Sequence, residues 1–285
     1  MSLQTRRVVP TVTLVVDQSL SMESELGDGV SRWDSVHRVL TGSDGLVTEL
    51  QGYVRFGLAL YSDTQGGSSE CPRITVVPPG LEAAPAIDAT FRAAAPMGET
   101  PTGDALQHVI DGLTLDPTDD PNVIVVATDG NPDRCGAPDA HDGASRAQSV
   151  AAVQRAFALG IRSYVIGVGR GSVEAAHLAA LARHGVGRDD APYWEADDLA
   201  GLAEALRIIV RGELSCIVAL EGRVDPVAAC SGEVRLDGEP LACDAPDGWR
   251  LVDESHLELT GASCDALLEG DTRIEATFPC HALLI

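Results

Sequence analysis

The sequence predicts an α/β fold: a doubly wound, mostly parallel sheet with one antiparallel edge strand, followed by a small all-β unit. Three observations predict it. Continuous apolar runs alternate with helical patterns up to about residue 211. Several runs end in Asp, Gly or a hydroxyl residue, which suits strand ends at a ligand-binding sheet edge. From about residue 212 the runs change to strict apolar–polar alternation. Continuous runs joined by helices mean strands covered on both faces; alternation means strands with one wet face.

The first run, 8–16, is a buried strand that ends in Asp17-Gln18-Ser19-Leu20-Ser21. A polar loop leads to a helical pattern over 30–50, with Trp33, Val36, Val39 and Leu40 on one face and Gly42 and Gly45 as weak points. The second strand is 53–61. Residues 74–77 form a short strand that Pro78-Pro79 stops, which places it at a sheet edge. An Ala-rich helix over 83–94 follows. The loop 96–101 leads to a helix reaching about 113, with Thr102 or Asp104 near its start. Strand 122–128 ends in Asp129-Gly130; helix 144–159 is closed by Gly160; strand 161–168 ends in Gly169. A helix over 172–184, a short strand at 193–195 and a helix over 197–211 complete the first domain, 1–211.

In the second domain, 212–285, alternating strands fall at 216–220, 233–236, 249–252, 256–259 and 272–278, with one helical turn at 264–269. Asp237-Gly238 signals a hairpin. A unit of this size needs covalent staples or docking on a neighbour.

Composition narrows the chemistry. The chain has 285 residues and a formal net charge of −23. That argues against nucleic acid or an anionic membrane as partner. All 20 basic residues are Arg, so mechanisms needing a Schiff-base or phosphate-binding lysine are excluded. Aromatics make up 4%, so the core rests on aliphatic side chains. The apolar run after Arg6-Arg7 is about nine residues, too short to span a bilayer, and no leader is visible.

Asp17, Ser19 and Ser21 alternate, and in extended chain alternate side chains point the same way. One carboxylate and two hydroxyls form a hard-oxygen set suited to Mg²⁺, Ca²⁺ or Mn²⁺. Three ligands are too few. If the strands ending in Asp17 and Asp129 are neighbours, Asp129 and the Gly-flanked Thr100 meet them at one edge. Asp-x-Ser-x-Ser, then Gly98-x-Thr100-x-x-Gly103, then Thr128-Asp129-Gly130 resembles the von Willebrand factor A domain over about residues 6–211. The resemblance implies a Rossmann-like sheet and a metal-ion-dependent adhesion site with Asp17, Ser19, Ser21, Thr100 and Asp129 as ligands. It also implies an open coordination position for an Asp or Glu carboxylate of a protein partner, and no catalysis.

The tail resembles the small cysteine-containing β region of some exported bacterial proteins of this class. The features are Asp247-Gly248-Trp249, Gly261-x-x-Cys264 and Phe278-Pro279-Cys280. The cysteines Cys71, Cys135, Cys216, Cys230, Cys243, Cys264 and Cys280 include no close pair, unlike a zinc site. Disulfides in an extracytoplasmic protein (secreted, periplasmic or on the cell surface) explain the spread. Cys71 with Cys135 and Cys230 with Cys243 are expected pairs; Cys216, Cys264 and Cys280 supply one more bridge and a spare thiol, with connectivity open.

Other signals rank lower. Gly167-Val168-Gly169-Arg170-Gly171-Ser172 lacks the third glycine of a dinucleotide loop. An aspartyl phosphatase would want a second Asp where Ser19 stands. His177 and His184 read as packing or surface residues, and Trp33, Trp194 and Trp249 as core. A cytoplasmic assembly factor working with an ATPase or metal-insertion machine is the alternative to an adhesion module.

Overall fold

The computed structural model describes residues 1–285 apart from 28, 64–70, 116–119, 138–140, 170–174, 270–271 and 285. It divides into two compact units: Pro10–Glu213, and Met1–Val9 together with Leu214–Ile285. The first nine residues were expected with the sheet domain. They group instead with the tail because Thr5–Arg7 is a strand paired with Ile217–Leu220, and Ser2–Leu3 pairs with Ile274–Thr277.

The larger unit has the expected alternation. Strand β1 (Thr11–Asp17) is followed by helices α1 (Arg32–Thr41) and α2 (Leu46–Leu50). Then come β2 (Arg55–Ser62), β3 (Arg73–Gly80), α3 (Ala84–Ala93) and α4 (Thr102–Leu115). The unit closes with β4 (Asn122–Thr128), α5 (Gly143–Ala158), β5 (Arg162–Val168), α6 (Ala175–Val186), β6 (Trp194–Ala196) and α7 (Leu199–Glu213). Sheet order is 6-5-4-1-2-3, parallel except for β3, which pairs antiparallel with β2. Strand order therefore reverses at β1 and β4, and the crevice at such a switch point is where open α/β sheets bind ligands. The helix start expected at 172 and the end of the Gly167–Ser172 loop lie outside the described residues.

Both sheet faces are covered. Val15, Ile124, Val126 and Val165 pack against Leu106 and Ile110 of α4, Val153 of α5 and Leu178 of α6. The opposite-parity residues Leu14, Val16 and Val125 are also fully buried, which is why the strands read as unbroken apolar runs.

Two expectations are corrected. The single helical pattern over 30–50 is two helices. Built Cβ atoms at Gly42 and Gly45 would fall 2.5 Å from the Arg38 carbonyl and 2.6 Å from the Leu40 carbonyl, so the chain can fold back only with glycine there. Strand β3 runs through Pro78-Pro79 to Gly80, because it is an edge strand and its register with β2 shifts between Phe56 and Leu58, an irregularity that takes the two prolines out of the paired ladder.

In the smaller unit, one sheet joins Ser2–Leu3, Ile274–Thr277, Glu233–Leu236 and Glu239–Leu241. A second joins Trp249–Asp253, His256–Leu259, Ile217–Leu220 and Thr5–Arg7. Asp237 (φ 51°) and Gly238 (φ 85°) both adopt the left-handed region that the expected hairpin turn needs. Trp249 and Phe278 meet edge to face at 6.0 Å in the core. Trp33 is buried as expected, but Trp194 is only half-buried, edge-on to Tyr164 at 6.0 Å.

Three disulfides form: Cys71–Cys135 in the larger unit, and Cys216–Cys264 and Cys230–Cys243 in the smaller. Cys280 is an exposed thiol.

Candidate metal site

Asp17 is the last residue of β1 and is fully buried. Its Oδ1 accepts from the Ser19 N–H at 2.8 Å, and its Oδ2 accepts from the Thr128 hydroxyl at 2.8 Å. Register explains the second bond: Val16 lies opposite Ala127, so the next residue of each strand meets at the sheet edge. Both donors are neutral. Burial, then the charge of Asp129, pushes the Asp17 carboxyl up to about 7 against the pull of these bonds.

The Ser19 and Ser21 hydroxyls lie 2.9 Å apart. Simple strand alternation does not bring them together. Past Ser19 the chain turns into a 3₁₀ helix, Leu20–Glu23, closed by Met22 N–H to Ser19 C=O at 3.1 Å. Tyr61, opposite Asp17 on β2, is buried and its hydroxyl lies 3.1 Å from Thr102 Oγ1. Burial, reinforced by Asp17, raises its pKa well above the ordinary tyrosine value.

Thr100 is also buried. Its loop is tied to the serine loop by Leu20 N–H to Gly98 C=O at 3.1 Å and Met97 N–H to Gln18 C=O at 2.7 Å. The Thr100 carbonyl accepts from Thr102 N–H at 2.7 Å and from Asp133 N–H at 2.8 Å. The loops bearing Asp17, Ser19, Ser21, Thr100 and Asp129 are thus neighbours, as the adjacency of β1 and β4 requires.

Sequence reasoning missed four contributors: Thr128, Tyr61, Asp133 and Arg32. Thr128 was legible, since it precedes Asp129 at a strand end. Arg32 was not. Its Nη1 donates to Asp129 Oδ2 at 2.7 Å and reaches the Ser21 carbonyl at 3.4 Å. The guanidinium lies over Gly169 (φ +112°), where a Cβ would fall 2.5 Å from Arg32 Nε.

The donors fit a hard divalent cation. They are all oxygen, and the two carboxylates repel. Among the described residues, Asp17 has no cationic partner among its hydrogen-bond donors, and Asn131 Oδ1, two residues past Asp129, is buried without a partner. Arg32 answers the charge of Asp129, and a cation would supply the one that the buried Asp17 lacks.

The comparisons agree on the class. The von Willebrand factor type A domain family matches residues 11–204, and the chain belongs to that family. No curated protein sequence gives a significant match. Among solved structures, the PilB minor pilin of Streptococcus sanguinis is 19% identical with a TM-score of 0.57, over 73% of this chain and 61% of that one. The pilus adhesin SpaC of Lactobacillus rhamnosus GG is 16% identical with a TM-score of 0.59, over 94% of this chain and 38% of that one. Manganese-loaded TRAP of Plasmodium vivax is 16% identical with a TM-score of 0.51, over 82% and 89%. At these identities the likeness is one of fold, and this chain spans less than two thirds of the pilin chain and well under half of the adhesin chain.

Proposed function

We propose that this chain is a protein-binding module that works through a divalent cation, Mg²⁺ or else Ca²⁺ or Mn²⁺. Asp17, Ser19, Ser21, Thr100 and Asp129 would hold it. The observation that carries this reading is the fully buried Asp17 carboxylate, met only by neutral donors, beside paired serine hydroxyls at the switch point of the sheet. Bound there, the cation would act as a Lewis acid toward an Asp or Glu carboxylate on a partner. The chain's own share is positioning. Thr128 and the Ser19 N–H fix the Asp17 rotamer, and the Gly98 turn sets Thr100. The hydroxyls add no charge, so the cation keeps its attraction for an incoming carboxylate.

The reading is non-enzymatic and extracytoplasmic. Three disulfides favour an oxidising compartment over the reducing one in which an ATPase-coupled assembly factor would work. The adhesin and the manganese-loaded protein among the fold relatives are in keeping with it. Calorimetric titration of the full chain with Mg²⁺, Ca²⁺ and Mn²⁺ tests the first step. Heat that Asp17→Ala abolishes is expected, and no heat in the wild type would refute it. Turnover of a phosphate ester, lost in Asp17→Asn, would make the protein a hydrolase instead.

A further inference from the structure

Next to the Asp17 cluster, a different set of donors converges. Glu99, Asp133 and His141 each place one potential ligand atom so that all three lie within 4.8 Å of one another. The Asp17 cluster offers only oxygen. This one offers two carboxylate oxygens and an imidazole nitrogen, the mixture that suits Zn²⁺ or Co²⁺ better than Mg²⁺ or Ca²⁺.

The buried member is already oriented. The Asp133 side chain is 1% exposed. Its Oδ2 accepts from the Thr100 N–H at 3.3 Å, and its Oδ1 accepts from the His141 N–H at 3.4 Å. A carboxylate oxygen takes a second bond on its remaining lone pair, so these donors aim Asp133 without using it up. His141 Nδ1 lies 3.1 Å from Asp133 Oδ1. His141 is exposed and Glu99 half-buried, which leaves a route in from solvent and room for a water as a further ligand.

The frame around the cluster is stiff. Cys135, two residues past Asp133, is bonded to Cys71, and its N–H donates to Asp104 Oδ2 at 2.8 Å. The Glu99 N–H donates to Asp63 Oδ1 at 2.7 Å. Held ligands on crossed-linked loops lose little entropy on binding a metal.

We propose that Glu99, Asp133 and His141 form a second metal site, selective for a borderline transition cation such as Zn²⁺. Because Asp133 also holds both backbone groups of Thr100, occupancy would stiffen the Thr100 loop. That coupling rests on the reading of Thr100 as a ligand; the site itself does not.

The test is a Co²⁺ titration of the metal-stripped full chain, followed by visible absorption and by Zn²⁺ displacement. The wild type is expected to show Co²⁺ bands that Zn²⁺ bleaches. His141→Gln and Glu99→Gln should each weaken Co²⁺ by at least about tenfold, while Asp17→Ala keeps the bands and loses the Mg²⁺ heat. Circular dichroism checks that each variant is folded. Bands that survive both His141→Gln and Glu99→Gln, bands lost in Asp17→Ala, or no bands at all would each overturn the second site. Failure of the Mg²⁺ titration alone would leave it standing.

Discussion

Arg32 Nη1 donates to Asp129 Oδ2 at 2.7 Å, with the guanidinium 19% and the carboxylate 9% exposed. A fixed positive charge therefore sits on one of the carboxylates proposed to hold a cation. It is supplied by the first residue of α1, close in space and far in sequence.

The pair competes with a metal for Asp129. An ion pair of this exposure is worth about 1 kcal/mol, so Arg32→Gln is expected to tighten Mg²⁺ binding by roughly fivefold. The difference should shrink as salt is raised. Calorimetry at two ionic strengths checks it. Weaker Mg²⁺ binding in the variant would mean that Arg32 serves to orient Asp129.

Thr128 links two groups: its hydroxyl donates to Asp17 Oδ2 at 2.8 Å and accepts from the Gly130 N–H at 3.2 Å. Thr128→Val keeps the shape and removes both bonds. It leaves Asp17 short of a donor and Gly130 short of an acceptor, for a loss of about 1–3 kcal/mol in denaturant unfolding. Thr128→Ser should restore most of it.

The setting of α1, and so of Arg32, depends on Asp88 of α3. Asp88 accepts from Arg92 at 2.7 Å and pairs with His37 of α1 at 2.8 Å, and Arg92, then His37, holds its carboxyl below the ordinary range. A depressed carboxylate stabilises the fold above its unfolded pKa, and the gain is lost as pH falls through the folded value. Wild type should lose a little more stability than Asp88→Asn below about pH 4. The two acid limbs of a stability–pH curve show it, and parallel limbs would contradict it.

How much of this was legible in the sequence depends on the range of the forces involved. Strand 122–128 was readable to the residue because burial on both faces leaves an unbroken apolar run. That the loops carrying Asp17, Ser19, Ser21, Thr100 and Asp129 would be neighbours was readable because strand ends and glycine turns are local features. Arg32 looks like any helix-start arginine, and only the fold brings it 97 residues along to Asp129. The strand Thr5–Arg7 is polar, and its identity lies in its partner, Val218–Leu220. His141 and Glu99 carry no spacing signal, since their meeting depends on Asp133 lying between two loops.

The Cys71–Cys135 bond closes a separation of 64 residues across the Thr100 and Asp133 region. Replacing both by Ser is expected to cost about 2–4 kcal/mol, most of it by freeing the unfolded chain. Thermal unfolding with and without reductant measures it. The double variant should no longer respond to reductant through this bond.

Gly98 is where the Thr100 loop is most constrained. Its φ of +65° lies in the left-handed region, and a Cβ there would fall 2.1 Å from the Asp63 carbonyl and 2.5 Å from Asp63 Oδ1. Asp63 cannot retreat freely, because its Oδ1 holds the Glu99 N–H at 2.7 Å and its own N–H donates to Glu99 C=O at 3.2 Å. Gly98→Ala thus combines backbone strain with a contact against backbone, for a loss of about 1–3 kcal/mol. The displaced segment carries both the carbonyl that holds Leu20 N–H and, two residues on, Thr100. Mg²⁺ affinity should therefore fall by more than stability alone explains: a folded Gly98→Ala protein, checked by circular dichroism, should still bind Mg²⁺ several-fold more weakly. Unchanged affinity in a folded variant would show that the loop does not set Thr100 at the cation.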